Sequence, residues 1–171
     1  NTSLIFDRLL QGLMLQIPPV VNEPIKSYVT GKNKTLLLKA FNGLLKNTRT
    51  VFPIIGNETM SNGATKFKDF NLPFDNARLL HKYVSTTENQ VENAIKLSLE
   101  AHKHWSKTTL QYRVSIFMKA ADLLSTKYRH EMLAATALNQ AKPIQQAELD
   151  CIQELADFWR FNCQWALQIA K

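Results

Sequence analysis

The run IFMKAADLLSTKYRHEMLAATALNQAKPIQQAELDCIQELADFWRFN, residues 116–162, decides how the rest of the chain is read. Its apolar residues recur every three to four positions, the period of a helix that buries one face. Ile116, Phe117, Ala120, Ala121 and Leu124 form one stripe, and Met132, Leu133 and Thr136 continue beyond a kink expected near Ser125-Thr126. Lys142-Pro143 interrupts the path, because proline lacks the N–H that a continuing helix needs. From Ile144 onward, Cys151, Ile152, Leu155, Phe158, Trp159, Asn162, Trp165, Ala166 and Ile169 again fall at helical spacing.

That last helix carries more apolar surface than a small domain would cover. Phe158, Trp159, Phe161 and Trp165 lie on consecutive turns and spread over more than one side, at roughly 150–250 Å² for each aromatic ring once buried. They are read as a packing or interaction face for further polypeptide or a partner. Glu148 is the acid placed on the apolar stripe, within about 40° of Ile144, Ile152, Leu155 and Trp159 at 100° per residue. A carboxylate there is costly unless it is paired or used. Three readings stay open: an ion pair with a nearby Lys or Arg, for which Lys142 is a candidate, a position at the edge of the packed face where the carboxylate stays wet, and a functional group.

Upstream the period changes. Leu37, Leu38, Phe41, Leu44 and Leu45 define a short amphipathic helix whose other side carries Lys34, Lys39 and Lys46. Val51 to Ile55 reads as a strand entering a turn at Gly56-Asn57-Glu58, and Asn62-Gly63 is a second turn signal. Lys66 to Phe70 alternates at period two, Pro73-Phe74-Asp75-Asn76 turns the chain, and Leu79 to Val84 is a further strand. Thr87 and Gln90 make a capping box ahead of Val91, Ala94, Ile95, Leu99 and His102, in a helix closed by Trp105.

Composition excludes several classes. The chain has 171 residues, 45% hydrophobic and 20% charged, which is ordinary globular composition. It contains no run of 18 apolar residues, so no membrane-spanning helix is expected. The net charge of +7 is concentrated early, in Lys26, Lys32, Lys34, Lys39, Lys46 and Arg49. These cations lack the interleaved aromatics of a nucleic-acid platform and read as a solvated helix face. Cys151 and Cys163 would stand ~18 Å apart on one helix, too far for a disulfide. Neither has the neighbours of a reactive thiolate, so both read as small core residues. His102 and His104 point in different directions on a helix, His81 and His130 add no ligand spacing, and no metal site is expected. No glycine-rich phosphate loop occurs.

The segment 116–162, together with Asn22-Glu23-Pro24-Ile25, Pro53-Ile54-Ile55-Gly56, Pro73-Phe74 and the helix ending at Trp105, resembles the delta-1-pyrroline-5-carboxylate dehydrogenase branch of the aldehyde dehydrogenase superfamily. The most specific match is Gln146-Ala147-Glu148-Leu149-Asp150 with Phe158 to Asn162 after it. The resemblance implies that Glu148 lines the aldehyde tunnel and approaches the amino group of the substrate. It also implies chemistry that no residue here matches: a nucleophilic cysteine, an asparagine and backbone amide for the oxyanion, a glutamate base, and a Rossmann-type domain that holds NAD. No catalytic residue is therefore assigned, and Cys151 and Cys163 are not given the nucleophile's role. The family's Gly-Gln-Gly-Lys is Asn139-Gln140-Ala141-Lys142 here, and its Phe-Asn is Phe74-Asp75. Losing two glycines restricts the turn.

The expected architecture is α+β and mostly helical. A 1–24 extension precedes an aldehyde dehydrogenase-like region, 25–171, made of an amphipathic helix (25–50), a small antiparallel strand meander (51–86) and a three-helix C-terminal half (87–171). It corresponds to the N-terminal part of the family's fold without complete Rossmann and catalytic domains. Two functions are expected. In the first the chain is a portion of an NAD-dependent dehydrogenase that oxidises L-glutamate 5-semialdehyde to L-glutamate in proline breakdown, binds no cofactor by itself and is inactive alone. In the second it is a truncated, non-catalytic relative that binds a partner through its last helix. The resemblance further implies a homo-oligomer in the mitochondrial matrix. The apolar residues 1–21, with a single Arg8 and with Asp7, depart from an Arg-rich, acid-poor transit peptide but read as a targeting leftover, and the start at Asn1 rather than Met reads as something upstream removed or never included.

Overall fold

A computed structural model describes residues 17–61 and 66–170. The Asn62-Gly63 turn and most of the 1–24 extension lie outside the described residues. The chain runs through α1 (Gly31–Lys46), β1 (Arg49–Val51), β2 (Ile54–Ile55), β3 (Glu58–Thr59), β4 (Phe67–Leu72) and β5 (Asp75–Val84). It continues through α2 (Glu88–Trp105), α3 (Leu110–Ser125), α4 (Arg129–Gln140), α5 (Ile144–Glu148), a π-helical turn (Leu149–Glu154) and α6 (Leu155–Ile169).

The strands form two small sheets. β2 and β3 are an antiparallel hairpin with Ile55 opposite Glu58, turned by Gly56 at φ +62°. A side chain at Gly56 would also meet the Leu97 side chain of α2, 3.2 Å from an added Cβ. β4 and β5 pair antiparallel across the Pro73-Phe74 turn, from Phe67 opposite Val84 to Leu72 opposite Asp75. The meander departs from expectation at its start, because β1 lies parallel to β5, Arg49 opposite His81 and Val51 opposite Tyr83. The intervening β2–β3 hairpin carries the chain back so that β1 borders the last strand rather than the next one, in the order β1-β5-β4.

The core sits where helices cross at small residues. Leu37 of α1 meets Leu133, Ala134 and Ala137 of α4 and Ala147 of α5. Ala121 and Leu124 of α3 meet Ile152 and Ala156, with Trp159 packed at the edge. Leu138 reaches from α4 to Leu72 and Leu80 of the sheet. Alanine at these crossings lets backbones approach closely. The buried stripe of α3 is Val114, Ala121, Leu124 and Ser125, whereas Ile116 and Phe117 are exposed. Leu38 and Met132 are likewise exposed beside buried Leu37 and Leu133. In each case the expected stripe contains the buried residues, Leu37, Ala121, Leu124 and Leu133, but extends onto neighbours that stay exposed.

Two breaks shape the helical half. α3 ends at Ser125, and Thr126 leaves helical geometry at φ −118°, ψ −83°, so the expected kink is a full interruption. α4 ends on Ala141 in the left-handed conformation, φ 52°, ψ 31°, and Pro143 then opens α5 at φ −55°, close to the angle its ring imposes. Ala141 is the only non-glycine residue with positive φ among the described residues. It stands where the family that the sequence resembles places a glycine.

Candidate functional site

Of the residues singled out by sequence, Glu148 meets an extended strap, residues 22–28, laid against the helical half. Pro24 holds Glu23 in extended backbone, which presents both main-chain groups and side chains sideways. The Glu23 N–H donates to Asp157 Oδ1 at 2.7 Å, and Asn22 Nδ2 donates to the other oxygen, Oδ2, at 2.8 Å. Gln153 Nε2 returns a bond to the Glu23 carbonyl at 2.6 Å. The Glu23 carboxylate is shared between two arginines, Arg129 Nη1 on Oε1 at 2.6 Å and Arg160 Nη1 on Oε2 at 2.7 Å.

Arg129, the first residue of α4, is fully buried and forms the centre of this cluster. Its guanidinium also donates to the carbonyls of Ser125 and Pro24, at 3.2 and 3.1 Å, to Tyr28 Oη at 3.3 Å, and to Glu148 Oε1. Glu148 is 1% exposed. Its Oε2 accepts from Tyr28 Oη at 2.8 Å, and its Oε1 also accepts from the Lys26 N–H at 3.2 Å. Both carboxylate oxygens are therefore occupied from within the protein. The partner is Arg129 and not Lys142, which pairs with Asp150; Gln146 Nε2 holds the second oxygen of Asp150 at 2.8 Å. Lys142 precedes the helix turn that carries Glu148 inward, so its side chain meets the outward acid two residues later.

Charges alternate along this cluster from Glu148 through Arg129 and Glu23 to Arg160. Burial alone would raise the Glu23 carboxyl, but hydrogen bonds and charges from Arg160 and Arg129 outweigh it and hold the group below its ordinary value. Tyr28 is pushed up to about 12, first by burial and then by its bond to Glu148, so the phenol stays a donor. Burial disfavours the Arg129 charge, and Glu148, Tyr28 and Glu23 together more than restore it. His130 stacks edge-on to Tyr28 at 6.0 Å, and burial together with the charges of Lys26 and Arg129 lowers its pKa, leaving a neutral imidazole at pH 7.

The aromatic residues of α6 divide between two faces. Trp159 turns inward against Ala121, Leu124, Ile152 and Ala156. Phe158, Phe161 and Trp165 line an open groove of about 420 Å³ with Asn22, Gln153, Glu154 and Asp157. Phe161 and Trp165 rings lie 5.8 Å apart, while Phe158 and Trp165 are 59% and 50% exposed. Glu154 was not singled out from the sequence. It is exposed, and its spacing to Phe158, Phe161 and Trp165, at i+4, i+7 and i+11, is the signal that places all four on one helix face. Asp157 in the same groove is already engaged by the strap, which leaves Glu154 as the carboxylate open to a ligand.

Cys151 and Cys163 are free, and burial raises the pKa of both thiols, the reverse of an activated nucleophile. Among the described residues no group of three or more His, Cys, Asp or Glu is placed to hold a metal ion, and no helix is long and apolar enough to cross a membrane. The connection from β5 to α2 is Ser85-Thr86-Thr87, with no glycine to let a backbone approach a pyrophosphate.

The fold agrees with known proteins. The model of the aldehyde dehydrogenase family matches residues 59–171, and the chain belongs to that family. Its curated relatives include the delta-1-pyrroline-5-carboxylate dehydrogenase of Agaricus bisporus, 37% identical over 160 residues. The probable delta-1-pyrroline-5-carboxylate dehydrogenase of Schizosaccharomyces pombe is 34% identical over 157 residues. Each alignment takes in 90% of this chain and 28% of the relative. The mitochondrial human enzyme of that name is 32% identical over 88% of this chain and 26% of its own length. The Delta-pyrroline-5-carboxylate dehydrogenase of Mycobacterium tuberculosis, solved also bound with NAD, superposes with a TM-score of 0.87 at 30% identity, covering 92% of this chain and 29% of that one. The chain thus spans a little over a quarter of the length of the relatives it matches.

Proposed function

We propose that this chain is a portion of a dehydrogenase that oxidises L-glutamate 5-semialdehyde to L-glutamate with NAD, and that it supplies one wall of the aldehyde site. The observation that carries the reading is the α6 groove, where Glu154 shares a helix face with Phe158, Phe161 and Trp165. An amino-acid aldehyde presents an ammonium group and an apolar chain. Aromatic walls suit the chain and the cation, and an exposed carboxylate suits the ammonium. The names of the relatives supply the substrate class and, through the NAD-bound mycobacterial enzyme, the cofactor. The nucleophile and the NAD site belong to further polypeptide, so this chain alone is expected not to reduce NAD.

Glu148 has a part in substrate binding through position. It anchors the start of the π-helical turn that ends at Glu154, and Arg129 with Tyr28 fixes it from the strap side. In the complete enzyme, Glu154→Gln raises KM for the amino-acid aldehyde by about tenfold and leaves a simple aliphatic aldehyde unaffected. Glu148→Gln raises both KM values together. Equal effects of Glu154→Gln on the two aldehydes reject the groove as the ammonium site, and a selective effect of Glu148→Gln moves that role to Glu148. The mitochondrial names of several relatives support a mitochondrial location, and a matrix position, which the family resemblance implies, is tested by fractionation of source cells.

A second reading has its own observation. Ala141 occupies left-handed backbone at the turn where the resembled family has glycine, a strain tolerable in a non-catalytic relative that binds its partner through α6. The intact mass of the protein from its source separates the two. A species several times heavier than 19.6 kDa supports the dehydrogenase, and one near that mass supports the partner-binding relative.

A further inference from the structure

His130 follows Arg129 in the first turn of α4, and its ring stands edge-on to Tyr28 of the strap, centroids 6.0 Å apart and planes at 80°. Its Nε2 is buried without a hydrogen-bond partner among the described residues. Those residues already close over the atom, so polypeptide added around them cannot reach it. Either neutral tautomer leaves this nitrogen unsatisfied. The imidazolium is worse placed, because it must put a charged N–H there with no acceptor.

The surroundings of the ring oppose a positive charge as well. Lys26 and Tyr28 stand beside it in the strap, Arg129 adjoins it in α4, and Glu148 approaches from α5. Of these groups Glu148 alone favours a cation, and its oxygens already accept from Arg129, Tyr28 and the Lys26 N–H. The positive end of the α4 dipole adds to the two cations. Burial first, and then Lys26 and Arg129, outweigh Glu148 and hold the His130 pKa below its ordinary value.

We propose that His130 makes the strap a pH-sensitive latch, which lies closed over a neutral imidazole and lifts as the ring takes up a proton. Lifting residues 24–28 removes Tyr28 and Lys26 from the ring and returns it toward its ordinary value of 6.5. The open form thus binds a proton that the closed form refuses. Closure is therefore fully favoured above 6.5 and weakens as pH falls below it, until the closed form's own lower value is reached. Glu23 titrates in a separate range, since its carboxyl is held below 4.5. The latch draws on strap contacts alone and belongs equally to both functions considered above.

Amide hydrogen exchange of the 171-residue chain reads the latch, because local opening sets the protection of an amide. The Lys26 N–H, bonded to Glu148 Oε1, reports the strap, and the Ala121 N–H in the α3 core is the control. After correction for the intrinsic pH dependence of exchange, Lys26 protection is expected to fall by up to about tenfold from about pH 7.5 to pH 5.5. That limit is set by one proton taken up at 6.5, and Ala121 changes less. His130→Phe keeps an aromatic edge against Tyr28, removes the titrating nitrogen and leaves Lys26 protection flat over this range. In the unsubstituted chain the His130 ring resonances, followed by NMR, titrate below 6.5. Lys26 protection independent of pH, an equal fall at Ala121, the same fall in His130→Phe, or His130 titration at or above 6.5 each overturns the proposal. The ring titration needs no substitution, so it decides even where the variant fails to fold.

Discussion

Helices α2 and α4 make opposite use of the same chemistry. α2 has the better local credentials, eighteen residues opened by a complete capping box in which Thr87 Oγ1 accepts from the Gln90 N–H and Gln90 Oε1 from the Thr87 N–H. Yet it buries no residue, and Val91, Ile95 and Leu99 stay largely exposed. α4 is twelve residues long, has no side-chain cap and ends on a left-handed alanine, but it buries Arg129, Leu133, Ala134, Ala137 and Leu138. A cap settles where a helix starts, whereas contact with other elements settles how firmly it is held. The stripe Val91, Ile95 and Leu99 is left uncovered by the other described elements.

The strongest way to break this contrast is to remove the centre of the α4 cluster. Arg129→Met leaves Glu148 buried without its counterion and should destabilise the chain by about 3–5 kcal/mol in urea unfolding. A loss under about 1 kcal/mol would mean that water reaches Glu148. The cluster should also fail in acid. Because the Glu23 carboxyl is lowered in the folded state, its contribution is complete above the ordinary value of 4.5 and disappears as pH falls through the lower folded value. Glu23→Gln should flatten that part of the stability-against-pH curve, and an unchanged curve would place the acid sensitivity elsewhere.

Truncation of apolar side chains sharpens the same contrast. Leu133→Ala, at a fully buried site, should cost about 3 kcal/mol, while Ile95→Ala in exposed α2 stays within about 0.5 kcal/mol. Equal costs would show that α2 is covered in solution. The smallest effect belongs to the turn after α4. Ala141→Gly should stabilise by up to about 1 kcal/mol, since glycine adopts positive φ without the Cβ clash. A loss of stability there would mean that the turn relaxes away from φ 52°.

Much of this was legible in the residues, for reasons that also explain what was not. The capping box at Thr87 and the turns at Gly56 and Pro73-Phe74 are local chemistry and are read directly. The inward placement of Glu148 follows from helical period, and it is buried. Its partner Arg129 stands nineteen positions away and meets it only because α4 and α5 fold back on each other, so nearness in sequence pointed to Lys142 instead. The parallel pairing of β1 with β5 is equally non-local. The π-helical turn has no compositional mark. By closing i to i+5 bonds it widens the helix locally, which lets buried Ala147 and Ile152 share a covered face and delivers Glu154 to the outer groove.

The strap has a consequence for the order of events during synthesis. Its bonds to Asp157 and Arg160 join residues 135 and 137 positions apart, so they close loops containing most of the chain. At translation speeds of roughly 5–20 residues per second, Glu23 emerges on the order of ten seconds before Arg160. Until Arg129 and Glu148 emerge, the strap lacks its central partners, and its closure is the late, entropically expensive step. A nascent chain halted before Arg129 leaves those strap residues unpaired, within reach of chaperones.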